Sequence, residues 1–185
     1  MEDQKIIDLF FARKEQAIQE TDRKYGSFCY TIANRILKNS EDSKETVSDT
    51  YMSAWRAIPP QRPNILKAFL GKISRNLALN RWEAGNRVKR GGGQVPLVLE
   101  ELQECLSQGP TPEQCYNAKE LRQALRNFIE QLEDREKKVF ICRYWYLESN
   151  AEVAHRFGLS ESKTATMLCR TRKKLKAYLA QEGLL

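Results

Sequence analysis

Apolar residues return every three or four positions through most of this chain, and no segment alternates cleanly over a strand's length. Tyr25, Phe28, Ile32, Ile36 and Leu37 share one helical stripe. Ser40 to Asp42 interrupt it. Asp42, with Glu45 three residues on, has the spacing of a capping box and predicts the next helix start there. That helix carries Val47, Tyr51, Ala54, Trp55 and Ile58 on one side, and Pro59, Pro60 and Pro63 end it in a rigid turn. Asn64 is the expected cap of a long helix with Ile65, Phe69, Ile73, Leu77 and Trp82 facing inward.

The pattern changes after Arg90. Gly91-Gly92-Gly93 is a break, and residues 94–112 hold no lysine or arginine. A short apolar piece there (Val95, Leu97, Leu99, Leu102, Leu106) suggests local helix within a linker. Helical spacing resumes from Pro112, with Leu121, Leu125, Phe128, Ile129 and Leu132 as its inward stripe. Glu133 and Asp134 open a helix bearing Val139, Phe140, Tyr144 and Trp145. The expected fold is all-α: two small helical domains, residues 1–90 and 119–185, joined by a linker over 91–118.

Residues 149–168 have the local chemistry of a helix-turn-helix. Ser149 caps a short helix, Asn150 to Phe157, whose small apolar face (Val153, Ala154, Phe157) admits a close neighbour. Gly158 permits the tight turn, Leu159 fills the angle, and Ser160 caps the last helix. Thr164, Leu168, Leu175 and Leu179 hold that helix to the core, which turns Ser162, Lys163, Thr166, Arg170 and Lys173 outward. Six cations against Glu161 alone lie between Glu161 and Lys176. Short polar side chains near the start of a recognition helix reach base edges, and later cations hold phosphates. The bland alternative is an amphipathic helix with a wet basic face.

Charge sharpens this picture. The formal net charge is +7, but residues 62–90 hold 8 basic and 1 acidic side chains, and residues 119–185 hold 14 and 9. Residues 91–118 hold 4 acidic side chains and no basic one. Two basic territories around an acidic spacer point to a phosphate-bearing partner touched at two places. In the first territory Lys72, Arg75 and Arg81 are interleaved with Asn76 and Asn80, a mixture suited to a melted strand. Phe69 and Trp82 are better read as core than as stacking platforms.

Other classes find little support. One histidine, His155, and five scattered cysteines without a Cys-x-x-Cys pair argue against a metal site, and no cofactor is expected. No nucleophile–base pair or Gly-rich phosphate loop suggests an enzyme. Without a basic n-region, a cleavage site or a long apolar run, the expected location is cytoplasmic.

Four stretches in order resemble the extracytoplasmic-function (ECF) sigma factors of bacterial RNA polymerase: residues 24–37 (KYGSFCYTIANRIL), 42–55 (DSKETVSDTYMSAW), 69–82 (FLGKISRNLALNRW) and the second domain from Leu132 to Leu175. The resemblance implies a promoter-specificity subunit with two partners, core polymerase and promoter DNA. It implies that Glu45, Ser48, Asp49 and Met52 dock on the polymerase clamp helices. It implies that Lys72, Arg75, Asn76, Asn80 and Arg81 contact the minus-ten element, with the Pro59 to Asn64 loop capturing an unstacked base. Ser162, Lys163, Thr166, Arg170 and Lys173 would contact the minus-thirty-five element. It also leaves an anti-sigma factor open as a partner. Two departures stand out: Ser48-Asp49 replaces the family's usual Gln-Glu, and Ala165 and Met167 stand where a lysine and an arginine are common. A helix-turn-helix repressor or activator remains the competing reading, although it has no need of the acidic helix from Asp42 to Trp55.

Overall fold

A computed structural model describes residues 1–86, 94–103 and 118–185, and all the regular structure among them is helical. The contacts divide the chain into two units, residues 1–93 and 94–185.

The first unit is built from α1 (Asp3–Phe11), α2 (Gln16–Leu37), α3 (Ser40–Ala57) and α4 (Leu66–Asn86). Helices α2, α3 and α4 pack on one another and α1 packs on α2. The apolar pattern did not single out α1, yet Ile6, Ile7 and Phe10 are at the centre of the core with Tyr25, Cys29, Val47, Tyr51, Ala54, Ile58, Leu66 and Leu70. Burying three such side chains stabilises the unit by about 1.5–3 kcal/mol each. Phe10 meets Trp55 edge-on, and the Arg13 guanidinium lies over the indole at 5.3 Å. Trp55 is therefore fixed within this unit. Gly71 lets α4 approach α2, since a Cβ there would stand 3.2 Å from the Phe28 ring.

Two boundaries differ from expectation. Asn39, not Asp42, caps α3, its side chain accepting from the N–H groups of Glu41 and Asp42. Lys38, in the left-handed region at φ 53°, turns the chain so sharply that α2 and α3 nearly abut, which leaves Asp42 inside the first turn. Helix α4 starts at Leu66 rather than at a capping Asn64, and its inward stripe is shifted by one residue. Ile65 is 64% exposed, while Leu66 and Leu70 are fully buried. Phe69 packs partly against the core, as expected of it.

The second unit comprises α5 (Gln94–Gln103), α6 (Ala118–Gln131), α7 (Asp134–Tyr144), α8 (Asn150–Phe157) and α9 (Glu161–Gln181). The expected helix start at Pro112 lies outside the described residues. Helix α5, read from sequence as part of a linker, belongs by its contacts to this unit, and Val95 and Val98 are buried. Along α6 the deepest residues are Ala124 and Phe128, with Leu121, Leu125 and Ile129 half-buried. Phe128, Phe140, Tyr144 and Tyr178 form a chain of ring contacts across α6, α7 and α9. Along α7 and its end, Val139, Phe140 and Tyr144 are buried while Trp145 is 39% exposed.

Candidate nucleic-acid interface

The helix-turn-helix is set by side chain-to-backbone bonds that the sequence already carries. The Ser149 hydroxyl accepts from the Glu152 N–H, while the Glu152 carboxylate accepts from the Ser149 N–H at 2.7 Å, closing a capping box. Gly158 ends α8 at φ 62°, where a Cβ would be strained, and the Leu159 N–H reaches back to the Ala154 carbonyl at 2.9 Å. The Ser160 hydroxyl then caps α9 by accepting from the Lys163 N–H. Val153 and Ala154 of α8, with Thr164, Leu168, Thr171, Leu175 and Leu179 of α9, form the buried seam.

On the far side of α9, Ser162, Lys163, Thr166, Arg170 and Lys173 are all exposed, sharing one face at helical spacing. Thr166 donates its hydroxyl proton to the Ser162 carbonyl, so what it offers outward is oxygen acceptor capacity and a methyl group. Two other cations of this helix are engaged elsewhere. Lys174 pairs with Glu136 at 2.9 Å, and Arg172 pairs with Glu101 of α5 at 3.3 Å.

Glu101 anchors α5 in a buried polar cluster. Its carboxylate accepts from Arg143 at 2.5 Å, from the Tyr144 hydroxyl at 2.9 Å and from Arg172. Arg143 is only 4% exposed in its side chain, and it also donates to the Glu148 carbonyl at 2.8 Å. Burial opposes ionisation of Glu101, but the bonds from Arg143 and Tyr144 and the two positive charges outweigh it and hold the carboxyl below its usual range. Glu148, itself buried, takes a two-pronged bond from Arg156. Nothing in the sequence pattern marked Arg143, Glu148 or Glu101; a cation inside an apolar stripe, as at Arg143, was the one available signal. Beside this cluster lies an open apolar groove of about 560 Å³, lined by Leu102, Leu125, Ile129, Phe140, Ile141 and Trp145.

In the first unit, two faces stand out. On α3, Glu45, Ser48 and Met52 are exposed and Asp49 is half-exposed, at spacings that place all four on one side. Met52 presents an apolar surface, 46% exposed, among these polar groups. On α4, Lys72, Asn76 and Asn80 are exposed one turn apart. Arg75 lies half-buried, and loss of solvent lowers its guanidinium pKa. Arg81 is turned towards α3: it donates to Glu45 at 2.8 Å, to Asp49 at 3.4 Å and to the Asp42 carbonyl at 3.2 Å. The bond to Glu45 is the main cause that raises its pKa above the usual guanidinium value. The residues assigned from sequence to two different partners thus meet at Arg81. In the turn before α4, Arg62 reaches Asp8 at 2.5 Å and lies over the Phe11 ring.

Among the described residues no group of three or more histidine, cysteine or acidic side chains could hold a metal ion, and no helix is long and apolar enough to cross a membrane.

The two units, a four-helix unit and a helix-turn-helix unit, coincide with two matches to sigma-70 family models, and the chain belongs to that family. The family model for Sigma-70 region 2 matches residues 22–88, and the model for Sigma-70 region 4 matches residues 122–175. Within the family the chain is of the ECF type. It is similar to the ECF RNA polymerase sigma factor SigE of Mycolicibacterium smegmatis, 23% identical over 165 residues, which are 89% of this chain and 62% of that relative.

Proposed function

We propose that this chain is a promoter-specificity subunit: it binds the core of RNA polymerase and directs initiation at promoters carrying two separated elements. One observation carries the reading. A single helical unit joins an exposed acidic and apolar face on α3 to an exposed amide and cation face on α4, while a second unit holds a helix-turn-helix whose last helix has Ser162, Lys163, Thr166, Arg170 and Lys173 exposed on one face. A repressor requires only the last of these.

On this reading Glu45, Ser48, Asp49 and Met52 dock on the clamp helices of the polymerase. Lys72, Asn76 and Asn80, with Arg75 behind them, contact the minus-ten strand. Cations hold its backbone, and amides both donate to and accept from base edges. The turn from Pro59 to Asn64, with exposed Ile65 beside it, offers an apolar seat for an unstacked base. Ser162, Lys163, Thr166, Arg170 and Lys173 meet the minus-thirty-five duplex. With Ala165 and Met167 in place of cations, fewer charged contacts are available there, which favours apolar and shape-dependent readout.

Run-off transcription with purified bacterial core polymerase on a promoter library tests this directly. New start sites sharing two sequence elements are the expected result. Unchanged initiation, alongside duplex binding by the protein alone, would replace this reading with that of a repressor.

A further inference from the structure

Arg81 belongs to both proposed surfaces at once. It stands one residue beyond Asn80, about 100° around the helix from the exposed stripe, on the side that α3 occupies. Its two terminal nitrogens are taken up by α3: Nη1 by Glu45 and the Asp42 carbonyl, Nη2 by Asp49. The Asp42 carboxylate also lies 4.0 Å away. Three carboxylates around one guanidinium leave a local excess of negative charge, and a DNA phosphate approaching Arg81 is repelled by it. Yet the cluster is open. The side chains of Glu45, Asp49 and Asp42 are 66%, 49% and 47% exposed and that of Arg81 is 29% exposed, so its ion pairs are weakly held and within reach of an incoming cationic surface.

We infer that Arg81 is a conditional DNA contact: the α3 carboxylates hold it away from DNA in the free protein, and a cationic polymerase surface that takes up Glu45 and Asp49 releases it to the minus-ten strand. The inference rests on the docking role proposed above for those two residues. It makes polymerase binding and DNA binding favour each other through one side chain, and such coupling is reciprocal. The acidic cluster is then a mask for the cation as well as a docking face. The cation count of residues 62–90 is correspondingly larger than the charge the free protein can offer to DNA.

The test is a cycle of full-length variants, E45Q/D49N, R81Q and all three together, binding a fluorescent single-stranded oligonucleotide of mixed sequence without polymerase. Removing two negative charges raises affinity somewhat in any background. Release of Arg81 predicts at least a threefold larger gain when Arg81 is present, with the salt slope steepened by about 0.7, one single-strand phosphate contact. Equal gains in the two backgrounds would overturn the inference. A second arm uses core polymerase: R81Q is expected to keep or tighten binding to core, because Glu45 and Asp49 lose a competing partner, and to weaken binding of the assembled complex to promoter DNA three- to tenfold. R81K, which keeps the charge but loses the fork, should fall between. Promoter binding unchanged by R81Q would also overturn the inference. Wild-type protein that does not assemble with core polymerase at all would instead remove the functional reading beneath it.

Discussion

Replacing Glu101 by alanine tests whether α5 is part of the helix-turn-helix unit. The carboxylate satisfies Arg143, which is almost wholly buried, as well as Tyr144 and Arg172. Removing one partner of a buried ion pair typically costs about 3–5 kcal/mol, because the remaining charge stays desolvated. Here the cost is smaller. Glu101 keeps 24% of its side chain exposed, and Arg143 retains its bond to the Glu148 carbonyl. Allowing for that solvent access gives an expected loss of about 2 kcal/mol. Amide hydrogen exchange on the full chain reads this locally, and a 2 kcal/mol loss corresponds to about a 30-fold drop in protection. The drop should appear in α7 and α9 and leave α2 and α4 unchanged. The sign of the pH dependence follows from the lowered Glu101 pKa. The folded carboxyl ionises more readily than the unfolded one, so the stabilisation is full above the unfolded value near 4.5 and is lost as pH falls through the folded value. Wild type and E101Q should therefore differ at neutral pH and converge in acid. Protection in α7 and α9 that changes by less than threefold in E101A would refute the docked arrangement of α5.

Other consequences can be checked in the same protein. Replacing Arg170 and Lys173 with alanine should reduce the salt slope of duplex binding by about 1.8, at 0.9 per lost phosphate contact, and an unchanged slope would mean that another face meets DNA. Charge reversal in E45K/D49K should weaken polymerase affinity at least tenfold in a binding titration while thermal unfolding shifts little, since both residues are at the surface. Ser160→Ala removes the α9 cap and should cost about 1 kcal/mol in denaturant unfolding.

The helix-turn-helix was legible because its determinants are local. Ser149, Gly158 and Ser160 act on backbone groups within three or four residues of themselves, so their spacing carries their geometry. The errors arose where distant packing decides. Ile65 and Leu66 are adjacent and both apolar, and only the approach of the other helices determines which one is buried. At the start of α3, both Asn39 and Asp42 are good caps; the left-handed turn at Lys38 selects the earlier one. Helix α1 carries Ile6, Ile7 and Phe10 at helical spacing, so its signal was present but short.

Charge was the least legible property, for a physical reason. A cation count treats every lysine and arginine as available to a phosphate, whereas availability depends on what faces each one. On α9, Arg172 and Lys174 serve Glu101 and Glu136, while Lys163, Arg170 and Lys173 remain on the exposed face. On α4, Arg81 serves α3, while Lys72 stays exposed. Arg172, Lys174 and Arg81 each lie next to a neighbouring helix that supplies carboxylates. Basic residues therefore divide into those that hold helices together and those left for a polyanion, and the carboxylates that face each one decide which it is. The positions 162, 163, 166, 170 and 173 were chosen by phase, and all five are exposed. Arg81 was chosen by its charge in a basic run, and a neighbouring helix has claimed it.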